Sequence, residues 1–347
     1  MPALIANLWT PDIWIQQIRE RAATYPALIS LPIVISSDLF NQIASGPGVS
    51  ANLPYYKDIT DQADAIQVES TAPSMQNITA GRQVSPILNR EIGNDATGLA
   101  AQVSGASPDP AGEFQQQLAT RRQKQRQTTL INILRGVFGF STAPAGAGAM
   151  SAVRSDYFSE TGANPAASLL IDQNKFIDSV ALMGENADTI SGGILMHPNI
   201  RAALLKQDQI SFEQYSNQEG IRLETYKGLR VFISANLRRA GGVSGFVYDT
   251  YVFTPGVVAW GEKVQTGGTP ADPKIDVASL NYVANAQTNI EGIIDRSRFM
   301  LHVNGTRWGG TPAGQSATNA ELATVGNWTL DYASADRVGI ICVRSNG

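Results

Sequence analysis

The sequence is short of nearly every group that does covalent chemistry. It has one cysteine and two histidines in 347 residues. It therefore cannot close a disulfide within itself, and histidine, the side chain that acid-base catalysis most often draws on, is scarce. Cys342 lies in the apolar run Val338-Gly339-Ile340-Ile341-Cys342-Val343, which reads as a buried strand with an inert thiol. His197 precedes a proline at a strand end and His302 sits in an apolar strand, so both read as structural. No glycine loop followed by Lys-Ser or Lys-Thr, no dinucleotide fingerprint, no zinc spacing and no serine elbow occurs. No catalytic, cofactor-binding or metal-ligating residue is assigned.

Charge is scarce as well. Charged residues make up 16% of the chain, against roughly 25% in an average soluble protein. With 19 Arg and 7 Lys, the deficit follows the composition of interface cores, which are poor in charge and Lys and richer in Arg. Base composition alone gives the same bias. The net charge of −4 argues against holding nucleic acid on a basic surface but leaves enclosure of it open. No stretch approaches the ~20 consecutive apolar residues of a membrane span. No basic-then-apolar signal opens the chain, so synthesis is expected to leave it in the cytoplasm. The Asn-x-Thr tripeptides at Asn77, Asn304 and Asn327 then have no secretory context.

What is present is a succession of segments. The length suggests two linked cores, or one core with long extensions, at roughly 100–200 residues per domain. The first fifty residues alternate short helical pieces with breakers. Thr10 caps a helix begun by Pro11 with Ile13, Trp14 and Ile18 on it; Ser36 or Ser37 caps a turn through Leu39, Phe40 and Ile43. Residues 52–90 read as an extended two-stranded excursion with scattered Leu53, Ile59, Ile66, Val68, Ile78, Val84 and Ile87. Such a hairpin cannot bury a face on its own and seeks a partner. Asp109-Pro110 opens a long helix with an apolar end at 130–138, spanning about 40 Å at 1.5 Å per residue.

Residues 141–148, rich in Ala and Gly, read as a linker. Asn164-Pro165 then starts a helix with Leu169, Phe176, Val180 and Met183 on one stripe and Gly184 as its cap. A buried strand at 193–196, a helix through Leu204 and Leu205, and strands at 229–233 and 246–253 make a compact α/β core. A further strand covers 290–303. Residues 306–347, rich in Gly and Thr, either complete a core or decorate the surface.

The order of arm, excursion, long helix, α/β unit and return strand resembles the major capsid proteins of tailed bacteriophages, with their Hong Kong-97-type fold. Leu53-Pro54-Tyr55-Tyr56-Lys57-Asp58 is similar to the start of that family's extended loop, and 73–81 followed by 84–94 to its return. Ser104-Gly105 with Asp109-Pro110 resembles the approach to its spine helix, and 130–138 the end of that helix. Ile194-Leu195-Met196-His197-Pro198 and Tyr226-Lys227-Gly228-Leu229-Arg230-Val231 resemble strands of the axial domain. Residues 295–308 resemble the closing strand, with Val303 where relatives often carry proline.

The resemblance covers residues 1–305 and implies an α+β architecture. Its parts would be an N-terminal arm (1–51), an extended loop (52–90), a peripheral domain (91–140 and 281–305) holding a spine helix (109–138), and an axial domain (141–280). Residues 306–347 are left unplaced. It implies a non-enzymatic, cofactor-free subunit that joins its own copies in pentamers and hexamers, closing an icosahedral shell around double-stranded DNA. The shell would be a virion capsid assembled in the bacterial cytoplasm. Expected partners are a separate scaffolding protein and a portal, with room for a decoration protein. No N-terminal segment is expected to be removed by a maturation protease.

The candidate inter-subunit contacts are Glu69, Arg82 and Arg90 on the excursion, Arg121, Arg122 and Arg126 on the spine helix, and Glu291 and Arg296 on the return strand. The basic run, with Lys124, spreads around its helix in 100° steps and suits acidic neighbours better than DNA. Asp58, Asp61 and Asp64 read as a solvated or salt-bridged loop, the alternative being a hard-cation site. Other readings are a cargo-storing nanocompartment of the same fold, and a β-rich enzyme or carbohydrate-binding protein, which the shortage of acid-base groups disfavours.

Some members of this family weld their shells through an isopeptide bond between a loop lysine and a neighbour's asparagine. Lys57 is the only lysine before Lys124 and stands at the base of the excursion. Purified particles are therefore expected to run on a denaturing gel as one band at 37.1 kDa; a ladder of multimers would contradict this.

Overall fold

The structure, a computed structural model, describes residues 32–57, 66, 69, 78–97, 110–139, 148–162, 165–207, 212–216, 222–241, 243–268, 272, 275–285 and 290–347. The helix expected at Pro11, the Asp58, Asp61 and Asp64 cluster, the approach through Ser104 and the linker 141–147 lie outside them.

Ile290–Val303 is a strand of 14 residues, and both of its edges are taken. On one side it pairs antiparallel with Ala80–Thr97, from Ile290↔Thr97 to Met300↔Ile87. On the other it pairs first with Ser279–Asn285 and then with Val258–Glu262. Val34–Ser36 and Thr266–Gly268 extend this sheet in parallel. Phe299, Leu301 and Val303 join the main core, while Met300 packs on the opposite face with Ala44 and Ala259. The short helix Asp38–Ser45, capped by Ser37 as expected, lies over that face. It comes so close that a side chain at Gly261 would stand 2.2 Å from the Phe40 carbonyl.

Ala80–Thr97 is longer than the partner it lies against. Its first residues overhang the sheet and pair with Ser50–Tyr56, from Ser50↔Pro86 to Tyr56↔Ala80, forming the base of the expected excursion. Prolines mark where pairing stops. The Ile87 N–H bonds to Val49 and the Lys57 N–H to Thr79, so Pro54 falls where an N–H would face the open edge of the hairpin. Pro86 falls where one would face the long strand, beside the residue at which that pairing ends.

The second sheet runs, in order, Arg154–Tyr157, Ile340–Ser345, Ser244–Phe253, Gly193–Met196, Leu229–Ile233, Arg222–Tyr226 and Phe212–Ser216. The C-terminal strand Ile340–Ser345 thus lies inside it, antiparallel to Ser244–Phe253 and parallel to Arg154–Tyr157, with all six residues buried. Part of the unplaced tail completes a core. Val258–Glu262 and Thr266–Gly268, within the unit expected over 141–280, and Ser279–Asn285, which straddles its end, are strands of the first sheet. The helix expected from Pro165 begins later, at Gln173–Ala181, with Asp172 as cap accepting the Lys175 N–H at 2.8 Å. The cause is tertiary: Ile171 donates to Gly347 and Leu169 accepts from Asn346, so the chain end ties down 169–171, where a single 3-10 turn, Ala167–Leu169, gives way to an extended Leu170.

The spine helix, Pro110–Phe138, has 29 residues and is about 44 Å long. Leu130, Ile131, Ile133, Leu134, Val137 and Phe138 are buried in the main core. Farther toward its start it is held by charge. Arg122 sits in a buried site and grips Asp295 with two bonds, Nε to Oδ2 at 2.9 Å and Nη2 to Oδ1 at 2.5 Å, with Gln265 completing the cluster. Arg126 reaches both oxygens of Glu262 at 2.7 Å and lies 4.7 Å from the Trp260 ring. Burial lowers its proton affinity and Glu262 opposes that. Both residues, expected at subunit boundaries, are instead engaged within the subunit, because their helical positions face the sheet. The helix's last carbonyls meet cations: Arg154 donates to Phe138 at 2.5 Å and Arg344 to Gly139, which adopts a left-handed φ of 82°.

Two substitutions and one control probe this docking. Arg122→Ala leaves Asp295 and Gln265 buried without their partner and is expected to cost about 3–5 kcal/mol in urea unfolding. Arg121→Ala, on the exposed face next to it, should change stability by less than about 0.5 kcal/mol. Gly136→Ala would place a Cβ 2.1 Å from the Leu322 carbonyl and 2.5 Å from Trp328 Nε1. It is expected to destabilise by about 1–3 kcal/mol, although alanine gains about 1 kcal/mol over glycine in an open helix. A raised melting temperature would contradict the packing described.

Candidate inter-subunit surface

The hairpin leaves the sheet at a joint built by residues far apart in sequence. Gln83, paired with Leu53 across the hairpin, is buried, and its Oε1 accepts the Gly305 N–H and meets His302 Nε2, each at 3.0 Å. Since Gly305 can only donate, that oxygen is an acceptor and His302 donates from Nε2. Burial pushes the His302 pKa down to about 3, opposed by a backbone hydrogen bond at Thr306. The ring is therefore neutral and Nδ1 carries no proton.

Three further contacts fix the same joint. The Tyr55 hydroxyl donates to the Asp331 carbonyl at 2.8 Å, and its ring meets the edge of Tyr332 at 5.5 Å. Burial, with Asp331 adding to it, pushes the Tyr55 pKa up to about 12. Arg307 donates to the Arg82 carbonyl at 3.1 Å and pairs with Asp331. Farther along the strand, Ser316 accepts the Asn89 N–H at 2.9 Å and Arg90 donates to Ala317 at 2.7 Å. Residues 304–338 thus act as a brace. Their short sheet, Thr306–Trp308 with Trp328–Leu330, and their helix Asn319–Ala323 connect the hairpin to the spine helix. Sequence reasoning missed this brace, whose one local signal is the capping box of Thr318 and Glu321 that opens Asn319–Ala323.

Beyond the joint the hairpin offers apolar side chains to solvent. Tyr56 is 79% exposed and Ile66 91%. A groove of about 1020 Å³ runs along the base, lined by Tyr55, Tyr56 and Lys57 on one side and Glu185, Asp331 and Tyr332 on the other. Ile275, 86% exposed, stands with Val264, Val277 and Val283 at the outer end of the first sheet. On the second sheet Val243 is 76% exposed, and Phe246 lies under Arg238 at 4.3 Å. Apolar groups left uncovered in several places are what a subunit in contact with others would present.

Of the remaining candidates, Arg90 is half-buried against the brace, and Arg296 bonds to Glu91 at 2.9 Å on an open face of the first sheet. Arg82 is partly exposed on the hairpin, and Glu69 and Arg121 are exposed. Glu291 is in register with Ala96 and Ala284 on the long strand, its side chain lying outside what is described. Cys342 is buried, its pKa pushed up to about 12 by burial. The described residues hold no cluster of three metal-binding side chains and no helix long and apolar enough to cross a membrane.

No protein-family model and no curated protein sequence matches the chain. Solved structures do. The capsid of cyanophage Pam1 is 12% identical with a TM-score of 0.52, over 94% of this chain and 92% of that one. The capsid of Ralstonia phage GP4 is 8% identical with a TM-score of 0.51, over 92% and 91%. The capsid of cyanophage P-SCSP1u is 10% identical with a TM-score of 0.51, over 92% and 88%. Identities this low speak for fold alone, and they do so over 92–94% of the chain. The chain has the α+β fold of bacteriophage capsid proteins, the fold that the sequence resemblance implied.

Proposed function

We propose that this chain is a shell-forming subunit, the major capsid protein of a tailed bacteriophage, whose function is to close with its own copies around double-stranded DNA. The observation that carries the reading is the likeness of fold to bacteriophage capsids over 92–94% of the chain. A heterologous interface repeated by rotation closes into rings, and rings of five and six joined edge to edge curve into a closed shell. The hairpin would lie over the adjacent subunit with Tyr56, Ile66 and Ile78 as its apolar contacts. The second sheet would gather near ring centres, its exposed Val243 and Phe246 facing the same surfaces of its neighbours. Arg82, Arg121, Arg296 and Glu69 are the charged groups left on the surface for such contacts.

The reading assigns no catalytic step. DNA would be confined by the wall and not bound by sequence, which suits a net charge of −4. A scaffolding protein, a portal and a decoration protein are the further partners it assigns, with assembly in the bacterial cytoplasm. Each subunit contact can be weak, since every subunit makes several.

Electron microscopy of the chain expressed alone and passed through a sizing column is expected to show closed shells or rings of five and six. Removing residues 58–79 should leave a folded chain that stays monomeric. A full chain that remains monomeric even with its neighbouring phage proteins present would overturn the reading. A single loaded cargo protein in place of a genome would reassign the shell to storage.

A further inference from the structure

We propose that the contact between Gln83 and His302 is an acid-labile pin, which holds the hairpin against the body near neutral pH and releases it when His302 takes up a proton. This rests on reading the hairpin as the arm that reaches a neighbouring subunit; the pin itself stands on the geometry of the joint.

His302 is fully buried, and its Nδ1 has no hydrogen-bond partner. Burial outweighs the one backbone hydrogen bond, at Thr306, that favours the protonated ring, and the charge added with a proton has no counter-ion. The elements packed around it offer none. Opposite it on Val258–Glu262 is Ala259, and the carboxylate of that strand, Glu262, is held by Arg126. The hairpin contributes the neutral Gln83 and Ser85 beside the cationic Arg82. The turn contributes Gly305, Thr306 and Arg307, and Arg307 already holds Asp331. On its own strand Arg298 is bound to the carbonyls of Ala44, Gly46 and Gly48, and Asp38 on the overlying helix stands in solvent. Burial is what lowers the proton affinity of the ring, and no charged side chain contributes.

A proton is therefore best accommodated by opening the joint and letting water reach the ring. Opening parts Gln83 from both His302 and Gly305, so the strand Ala80–Thr97 loses its fixed point where it leaves the sheet. The direction follows from linkage. The closed joint binds the proton only near pH 3, while the open joint binds it near the ordinary value of about 6.5. Opening is then unaffected above about pH 6.5 and becomes easier as pH falls between these limits, by about 100-fold at pH 4.5.

Hydrogen exchange read by mass spectrometry on the full chain tests this. The rate over residues 80–90 is divided by that over 193–207 in the second sheet, which cancels the intrinsic pH dependence of exchange. From pH 7.5 to 4.5 the ratio is expected to rise by up to about 100-fold in the wild type and to stay within about threefold in His302→Gln, whose amide does not titrate. Gln83→Ala should show the raised ratio already at pH 7.5. His302→Asn takes the place of His302→Gln if the longer amide does not fold. A wild-type ratio that does not move, or one that rises equally in the amide variant, overturns the pin, the latter by assigning the effect to carboxylates. The unassembled chain answers this whether or not shells form, and particle counts at pH 7.5 answer separately for the shell.

Discussion

A strand of 14 residues presents a row of backbone donors and acceptors on each edge, and the first sheet is arranged so that Ile290–Val303 leaves neither row open. One edge is covered by two strands laid end to end, Ser279–Asn285 and Val258–Glu262. The other edge is covered by a single long strand, and the overhang of that strand is the hairpin. The spine helix is tied to the same element through Asp295. Hairpin and helix thus take their directions from one strand, and a shift in it would carry both.

The low charge content acquires a meaning from where the charges lie. Arg122 and Asp295 are paired inside, Arg239 holds Glu160, and Arg344 is buried within 4 Å of Asp249 and Asp156. Buried pairs of this kind recover little net stability beyond their desolvation cost, but removing one partner is expensive, so they fix geometry more than they add strength. A chain with few charges that places several inside has fewer left for its surface. What remains outside is a surface in which neutral polar and apolar groups stand beside a few charges such as Lys57, Arg82, Glu91 and Arg121.

Elements whose burial repeats locally were legible in the sequence. The strands at 193–196, 229–233 and 290–303 and the spine helix appear with the expected bounds or within a residue of them, because apolar runs and an Asp-Pro start are local signals. What escaped was decided by partners far along the chain. Asp295 lies 173 positions from Arg122, and only it tells which side of the helix faces inward. Asn346 and Gly347 tie down 169–171 after a single 3-10 turn, Ala167–Leu169, and delay the helix expected from Pro165. His302 was legible as structural from its apolar strand, but its bond to Gln83, 219 residues away, was not.

The brace from 304 to 338 has a consequence for assembly by many weak contacts. A hairpin that had to be ordered anew at each contact would spend much of that contact's free energy on ordering. Here Tyr55, Arg82 and Gln83 are fixed before any neighbour arrives, and the residues that fix them continue directly into Ile340–Ser345 inside the second sheet. The angle of the hairpin is therefore referred to both sheets at once. In the proposed shell, contacts made by the hairpin on one neighbour and by the second sheet on another would then be geometrically dependent within a single subunit, and that dependence would let several modest interfaces select one curvature.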